Sequence, residues 1–416
     1  PTSAALAPAA ISGDPRNPEN WAETFTLTVG GPGADIQGFT DLAVQSAVDS
    51  VAARGGGTVR LTPGVFTLRN AVTLRSGVFL KGSGEATVLV KAPMVRTALA
   101  ANADWYSQEL TLADASGFPP GTGLCIEGKQ PHSGARVVVK RTVLARDGNR
   151  VLLDRAPREN FWVDLDPVVS SLFPLVTAEN ARHLRIESLI LDGNREQNGP
   201  LDGNYAGCLW FQDCADIVIR DVTARNYNGD GISWQICHDV VVERCRTLDN
   251  TMLGMHPGSG SQRPVIRECE AAGNSIGLFF CWGVQFGLVE QCDIHDNADT
   301  GISIGHRDHG NTIRGCRIRN NGKQGILFRA ERGKDFTATA NTIESCHFTD
   351  NGDEQGAAVE ITGQTEGNRF VRNIFEETRG AAKRVAIRLA AESGEQHLEK
   401  NRFRGFHKEI ERAENR

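Results

Sequence analysis

Aromatic residues are scarce in this 416-residue chain: Phe, Trp and Tyr make up 6% of it, with three tyrosines and three methionines. A surface that bound its partner by aromatic stacking alone would need more of them. Positive charge is not in excess either. Lys and Arg number 45 against 51 Asp and Glu, a formal net charge of -6, so no basic surface argues for a nucleic-acid partner. No apolar run reaches the ~20 residues of a spanning helix, which argues against a membrane partner. No dense acidic run makes a strong calcium site. No cofactor or bound metal is therefore expected, and Ca2+ is the one ion left open. The first ten residues, Pro1 to Ala10, lack a charged n-region. They read as the start of a mature chain whose signal peptide has been removed, hence secreted or periplasmic.

Glycine and cysteine are plentiful, at 45 and 10, and both recur at a fixed interval. Gly207, Gly231, Gly254, Gly277, Gly301 and Gly325 each open an apolar run and lie 24, 23, 23, 24 and 24 residues apart. A second register holds Cys245, Cys269, Cys292, Cys316 and Cys346. A third holds Asn226, Asn250, Asn274, Asn297, Asn321 and Asn351. A period in the twenties means stacked supersecondary units. Each unit contains short β-branched runs broken by Asn, Gly and Asp, which is strand and turn chemistry. Leucine-rich repeats would require Leu at fixed spacing and a helical half, and neither is present. The solution is an all-β right-handed parallel β-helix of ~23–24 residues per coil, with inward residues stacked in columns. A column of Asn can hydrogen-bond along the axis, and Cys packs as a small apolar residue. Ten cysteines in an exported chain ordinarily suggest disulfides. Parallel rungs ~4.8 Å apart point their side chains the same way, a poor S–S geometry, so free thiols are expected.

Along the chain, residues 1–34 read as an N-terminal extension and 35–95 as a cap helix with the first coils. The helix is expected at 41–54, capped by Thr40 or Asp41, with Leu42, Val44, Ala47, Val48, Val51 and Ala52 as its apolar face and Gly55-Gly56-Gly57 as its stop. The period is lost over 96–170, where alternating runs such as Arg136-Val-Val-Val-Lys140 suggest antiparallel hairpins in a β-rich insertion. The β-helix then occupies 171–416, with loops expected at 195–206 and around 332–339.

The stretch GGGTVRLTPGVFTL…VTLRSGVFLKGSGEATVL, from Gly55 onward, resembles the N-terminal cap and first coils of the pectate-lyase-like superfamily. With the ladders, the resemblance covers most of the chain. It implies a carbohydrate-active β-helix; that superfamily hosts lyases, glycosidases, epimerases and phage spikes.

Chemistry is expected on an outer face. Positions one and three after each ladder glycine are apolar and inward, including Trp234 and Phe328, and Trp210 is also read as inward. Positions two and four face out: Ser233 and Gln235, His256, Phe279 and Cys281, Ser303, Leu327 and Arg329. The neighbouring turns add Tyr205, Tyr227, Asp230, Trp282, His306, Arg307, Asp308 and Glu331, with Glu360 one coil on. Asp230, His256, His306, Asp308 and Glu331 are the catalytic candidates. Tyr227, Gln235, Trp282, Arg307, Arg329 and Glu360 are the substrate-binding candidates. Arg can pair bidentately with a uronate carboxylate, and imidazole is the side chain that exchanges protons near neutral pH. Together they suit β-elimination on an extended acidic polysaccharide, which is the favoured reading. A carboxylate pair on the same face would instead make a glycoside hydrolase. A uronate C5-epimerase shares the first step of elimination. A non-catalytic glycan-binding adhesin, or a phage-type spike, is the other class. Gly-Asp230-Gly-Ile, Gly305-His306 and Arg329-Ala-Glu331 resemble polygalacturonase motifs in the same order. They lack the second Asp, have Glu331 in place of Lys and spread over three coils, so that family's catalytic pair is not carried over. The turn Gly254-Met-His256-Pro resembles the Asp-Pro-His turn of alginate epimerases, without the Asp.

Overall fold

The computed structural model describes residues 23–380 and 383–414; the start of the chain, read above as a mature terminus, lies outside them. Each coil contributes three short strands, and each strand pairs in parallel with its copy one coil on. One face is an eleven-stranded sheet running from Val72–Thr73 to Lys408–Arg412. On the second face the inward register runs Ile186, Ile219, Val242, Ile266, Val289, Ile313, Ile343 and Phe370. On the third it runs Ala224, Thr247, Ala271, Ile294, Ile318, Phe348, Phe375 and Phe403. These columns fill the interior. Towards the C-terminus they become aromatic, with Phe348, Phe375 and Phe403 stacked at centroid spacings of 4.6 and 5.1 Å.

The corner between the second and third faces explains the cysteines. One residue per coil takes a left-handed conformation there, for example Arg244 (φ 49°), Glu268 (φ 54°) and Gln291 (φ 54°). The next residue then points inward: Cys245, Cys269, Cys292, Cys316 and Cys346, all buried and all free thiols. The Cys245 amide donates to Cys269 Sγ at 3.4 Å. After Cys346 the column continues as Asn: the Cys346 amide donates to Asn373 Oδ1, and that of Asn373 to Asn401 Oδ1, each at 3.0 Å. Both residue types answer one need, an acceptor for a buried corner N–H.

The asparagine ladder has the same construction. The Asn250 side chain donates to Asn274 Oδ1 (3.0 Å), Asn274 to Asn297 (3.2 Å), Asn297 to Asn321 (2.9 Å) and Asn321 to Asn351 (2.9 Å). Asn226 is not a member. It is the left-handed corner residue (φ 53°), and the column position belongs to Tyr227, whose amide donates to Asn250 Oδ1 at 3.1 Å. The ladder glycines sit beside this column. A Cβ on Gly254 would meet the Gly277 carbonyl and the Asn274 amide, so close approach sets the period.

The helix Asp41–Ala52 covers the first coils, with Thr40 Oγ1 accepting from the Ala43 amide at 3.3 Å. Ala43, Val44, Ala47, Val48 and Val51 are its buried face. Leu42, expected there, is exposed. The strand Thr26–Gly30, inside the expected extension, pairs in parallel with Gly57–Leu61. Six antiparallel strands between Arg96–Ala98 and Val168–Ser170 form a separate sheet, with its own core around Leu112, Phe118, Leu124 and Phe161.

That sheet leans on the N-terminal coils of the eleven-stranded face and corrects one register. Leu209 pairs with Ile232, and Trp210 with Ser233, so Cys208 rather than Gly207 aligns with Gly231. A slip of one residue turns every side chain to the other surface. Trp210 therefore faces out, contrary to the inward reading. It is buried because Lys140 of the antiparallel sheet sits over its ring, Nζ 3.3 Å from the centroid.

Candidate active site

The outer row of the eleven-stranded face reads Trp210, Ser233, His256, Phe279, Ser303, Leu327 and Glu360. Its character changes along the axis because different segments lie over it. At the Ser233 end the 199–206 loop comes down. Ser233 Oγ donates to the Gly203 carbonyl at 2.8 Å, and a Cβ on Gly203 would collide with the Asp230 carboxylate. Asp230 is 0% exposed and His256 3%. Asp230 Oδ2 lies 2.7 Å from His256 Nδ1, and Asp230 Oδ1 accepts from the Leu253 amide at 3.1 Å. The ring packs edge-on to Phe279, with centroids 5.5 Å apart. Burial alone would lower the pKa of this imidazole. Burial is the largest single influence, but the hydrogen bonds and charges of Asp230 and Cys281 together outweigh it, and the pKa is pushed up to about 9. His256 is thus a buried imidazolium on a buried carboxylate, not an open acid/base group.

Two coils further on a second histidine–carboxylate pair is partly open. His306 Nδ1 meets Glu331 Oε2 at 3.2 Å, and the two side chains are 18% and 13% exposed. The ring stacks on Trp282 at 4.7 Å and leans on Phe336 at 5.1 Å. Trp282 is 60% exposed, so one of its faces holds His306 while much of the ring meets solvent. Arg307 is exposed and lies 4.5 Å from the Phe336 centroid. Because Nδ1 is tied to Glu331, Nε2 is the nitrogen left for exchange.

Arg329 reaches from Phe279, the ring beside His256, to Glu331. Its guanidinium lies 4.3 Å over Phe279 and donates to Ser303 Oγ and the Phe280 carbonyl, both at 2.8 Å. It is 3.5 Å from Asp308 and 4.0 Å from Glu331. Gly305 makes room for it, since a Cβ there would strike the guanidinium. Asp308 lies beneath the turn, 0% exposed, accepting from the Val284 amide at 2.9 Å and the Gly305 amide at 2.7 Å. Burial pushes its pKa up to about 6, against the pull of Arg329 and those amides.

The expected site residues therefore separate. His306, Glu331, Trp282, Arg307 and Arg329 come together on an accessible surface. Asp230, His256 and Asp308 lie under it. Gln235 is buried beside the loop, its Oε1 accepting from the Ser259 amide at 2.8 Å. Tyr227 belongs to the core, its hydroxyl donating to the Phe173 carbonyl at 2.9 Å. Glu360 stands apart, between Gln324 and Arg388. Phe336 was missed because it comes from the aperiodic 332–339 loop, and nothing in its local sequence aims it at His306. Among the described residues no group of three His, Cys, Asp or Glu side chains is placed to hold a metal ion, and no helix is long and apolar enough to cross a membrane.

Residues 207–382 match the family described as right handed beta helix region. The chain is a right-handed parallel β-helix. No curated protein matches it in sequence. Solved structures share the fold at low identity. The AlgE4 A-module of an Azotobacter vinelandii mannuronan C-5 epimerase superposes with a TM-score of 0.58 at 17% identity, over 90% of this chain and 96% of that one. A glycoside hydrolase matches with a TM-score of 0.51 at 10% identity, over 90% and 96%. PfbA, a surface adhesin of Streptococcus pneumoniae, matches with a TM-score of 0.50 at 12% identity, over 93% of each chain. This β-helix is thus similar in fold to carbohydrate-active enzymes and to an adhesin alike.

Proposed function

We propose that this protein is a polysaccharide-processing enzyme that cleaves an acidic, uronate-containing glycan by β-elimination on the outer face around His306. The observation that carries the reading is the His306–Glu331 pair, stacked on the exposed Trp282 beside the exposed Arg307. Trp282 is a platform for one sugar ring. Arg307 meets the uronate carboxylate and, with Arg329 behind it, lowers the cost of negative charge developing at C5. His306 Nε2 takes the C5 proton. The electron pair forms the C4–C5 double bond, the C4–O4 bond breaks, and the proton on His306 passes to the leaving oxygen. Glu331 fixes the ring orientation and stabilises the imidazolium that forms.

Hydrolysis by a carboxylate pair has less support. Two of its candidate carboxylates, Asp230 and Asp308, are 0% exposed and already hydrogen-bonded. The fold is one that a mannuronan C-5 epimerase also uses, and epimerisation would need the same proton abstraction. A panel of uronate polysaccharides separates the outcomes. Ultraviolet absorbance of an unsaturated product is expected. New reducing ends without that absorbance would overturn elimination in favour of hydrolysis. Proton exchange at C5 without cleavage would favour epimerisation.

A further inference from the structure

The neck where the antiparallel sheet leaves the β-helix encloses a separate cavity of about 300 Å³, walled by Lys91, Arg69, Thr122, Ser171, Pro119 and Phe173 among others. That is the lower end of small-molecule site sizes. Lys91 is the last residue of the strand Thr87–Lys91 and shares its parity with the buried Thr87 and Leu89. An inward lysine, 1% exposed, is anomalous in such a column. Among the described residues its ammonium makes one hydrogen bond, 3.1 Å to the Ala92 carbonyl, and it lies 4.2 Å from the Phe173 ring centroid. An ammonium has three N–H donors, so two are left to use. No Asp or Glu is among the residues walling the cavity. Burial, with no opposing carboxylate, pulls the amine's pKa down to about 7. Leaving a charge unpaired in the interior is costly. Leu or Met would serve folding better. Arg69, exposed at the rim, adds a second cation facing the same space.

We propose that this cavity binds a small carboxylate ligand the size of one sugar acid, its carboxylate on Lys91 and Arg69 and its ring against Phe173 and Pro119. The hydroxyls of Thr122 and Ser171 suit the polar edge of a sugar. The site stands apart from the outer face and does not depend on the elimination reading, because no residue walling it takes part there.

The test is calorimetric titration of the full chain at pH 6 with D-glucuronate, glucose and inorganic phosphate in separate runs. Glucuronate is expected to bind and glucose not. Lys91→Met is expected to weaken glucuronate binding about tenfold or more, since a hydrogen bond to a charged group is lost. It should also raise the urea midpoint, because an uncompensated buried charge is removed. Arg69→Gln, at the rim, should weaken binding about threefold; it decides the matter if the Lys91 variant does not fold. No glucuronate binding by the wild type, or unchanged affinity in the folded variants, overturns the proposal. Phosphate binding in place of glucuronate overturns the sugar-acid assignment. Turnover on the outer face is expected to stay at wild-type level in both variants, so failure here is distinct from failure of the elimination reading.

Discussion

The outer face carries two histidine–carboxylate pairs of nearly the same composition, and their surroundings give them opposite characters. Asp230–His256 lies under the 199–206 loop, 2.7 Å apart and almost sealed. His306–Glu331 lies two coils on, 3.2 Å apart, partly exposed between Trp282 and Phe336. The first is walled off from water beneath the loop, which Ser233 holds through the Gly203 carbonyl. The second is partly reached by water, which the proposed proton transfer requires. Covering segments, more than residue type, decide which of the two pairs solvent reaches.

The largest effect should come from the open pair. His306→Ala is expected to lower kcat/KM by about 10²–10⁴, the usual contribution of one general acid or base. His256→Ala should cost far less turnover per folded molecule. Initial rates on the cleaved polysaccharide, normalised to folded protein, give the comparison. If His256→Ala is the more severe, the reaction lies beneath the loop and the assignment of the two pairs is reversed.

Stability should rank them the other way. Asp230→Asn takes away the carboxylate that keeps the proton on the buried His256, so the ring must either stay charged and unpaired or give the proton up, and the change is expected to cost about 3–5 kcal/mol by urea unfolding. Glu331→Gln removes a partly solvated partner and should cost under about 1 kcal/mol. Equal losses would mean the two environments differ less than their exposures suggest. The pH dependence sharpens this. His256 has a folded-state pKa of about 9 against an ordinary value of 6.5. A raised imidazole pKa means the folded state holds its proton more tightly. The resulting stability, on the order of 3 kcal/mol, is fully present below pH 6.5 and is lost as pH rises through 9. Urea midpoints between pH 6 and 9.5 should fall for the wild type. That slope should flatten in His256→Gln and stay unchanged in His306→Gln.

The β-helix was legible because its interior repeats. Gly254, Asn274 and Cys269 each recur from coil to coil since each coil meets the same neighbours. Reading failed where a short offset or a distant segment decided the matter. Asn226 and Asn250 look equivalent in the alignment, yet one is the left-handed corner and the other the column residue beside it. Trp210 was assigned to the wrong surface by a one-residue slip, and a lysine 70 positions earlier in the chain covers it. For the site, alternation gave the right outward residues but could not say which were roofed over. His256 and His306 carry the same local signal. Only the path of the 199–206 loop and the position of Phe336 tell them apart, and neither segment is periodic.

The smallest predicted effect concerns the platform of the open pair. Trp282 adopts φ 35°, a conformation uncommon for a bulky residue and costly by about 1–3 kcal/mol. A bulky residue in a strained backbone conformation that leaves 60% of itself exposed forgoes much of the gain that burial would bring. It makes sense as a contact for something outside the chain. Trp282→Gly accepts the backbone conformation without strain and removes the ring. The urea midpoint should therefore hold or rise, while KM for the polysaccharide rises about three- to tenfold, matching the 0.5–1.5 kcal/mol of an aromatic stacking contact. His306 also loses its stacking partner, so a smaller fall in kcat should accompany the change. A Gly variant that is less stable and binds its substrate as the wild type does would make Trp282 a structural wedge. Sugar binding would then have to be sought elsewhere on the face, starting with Arg307.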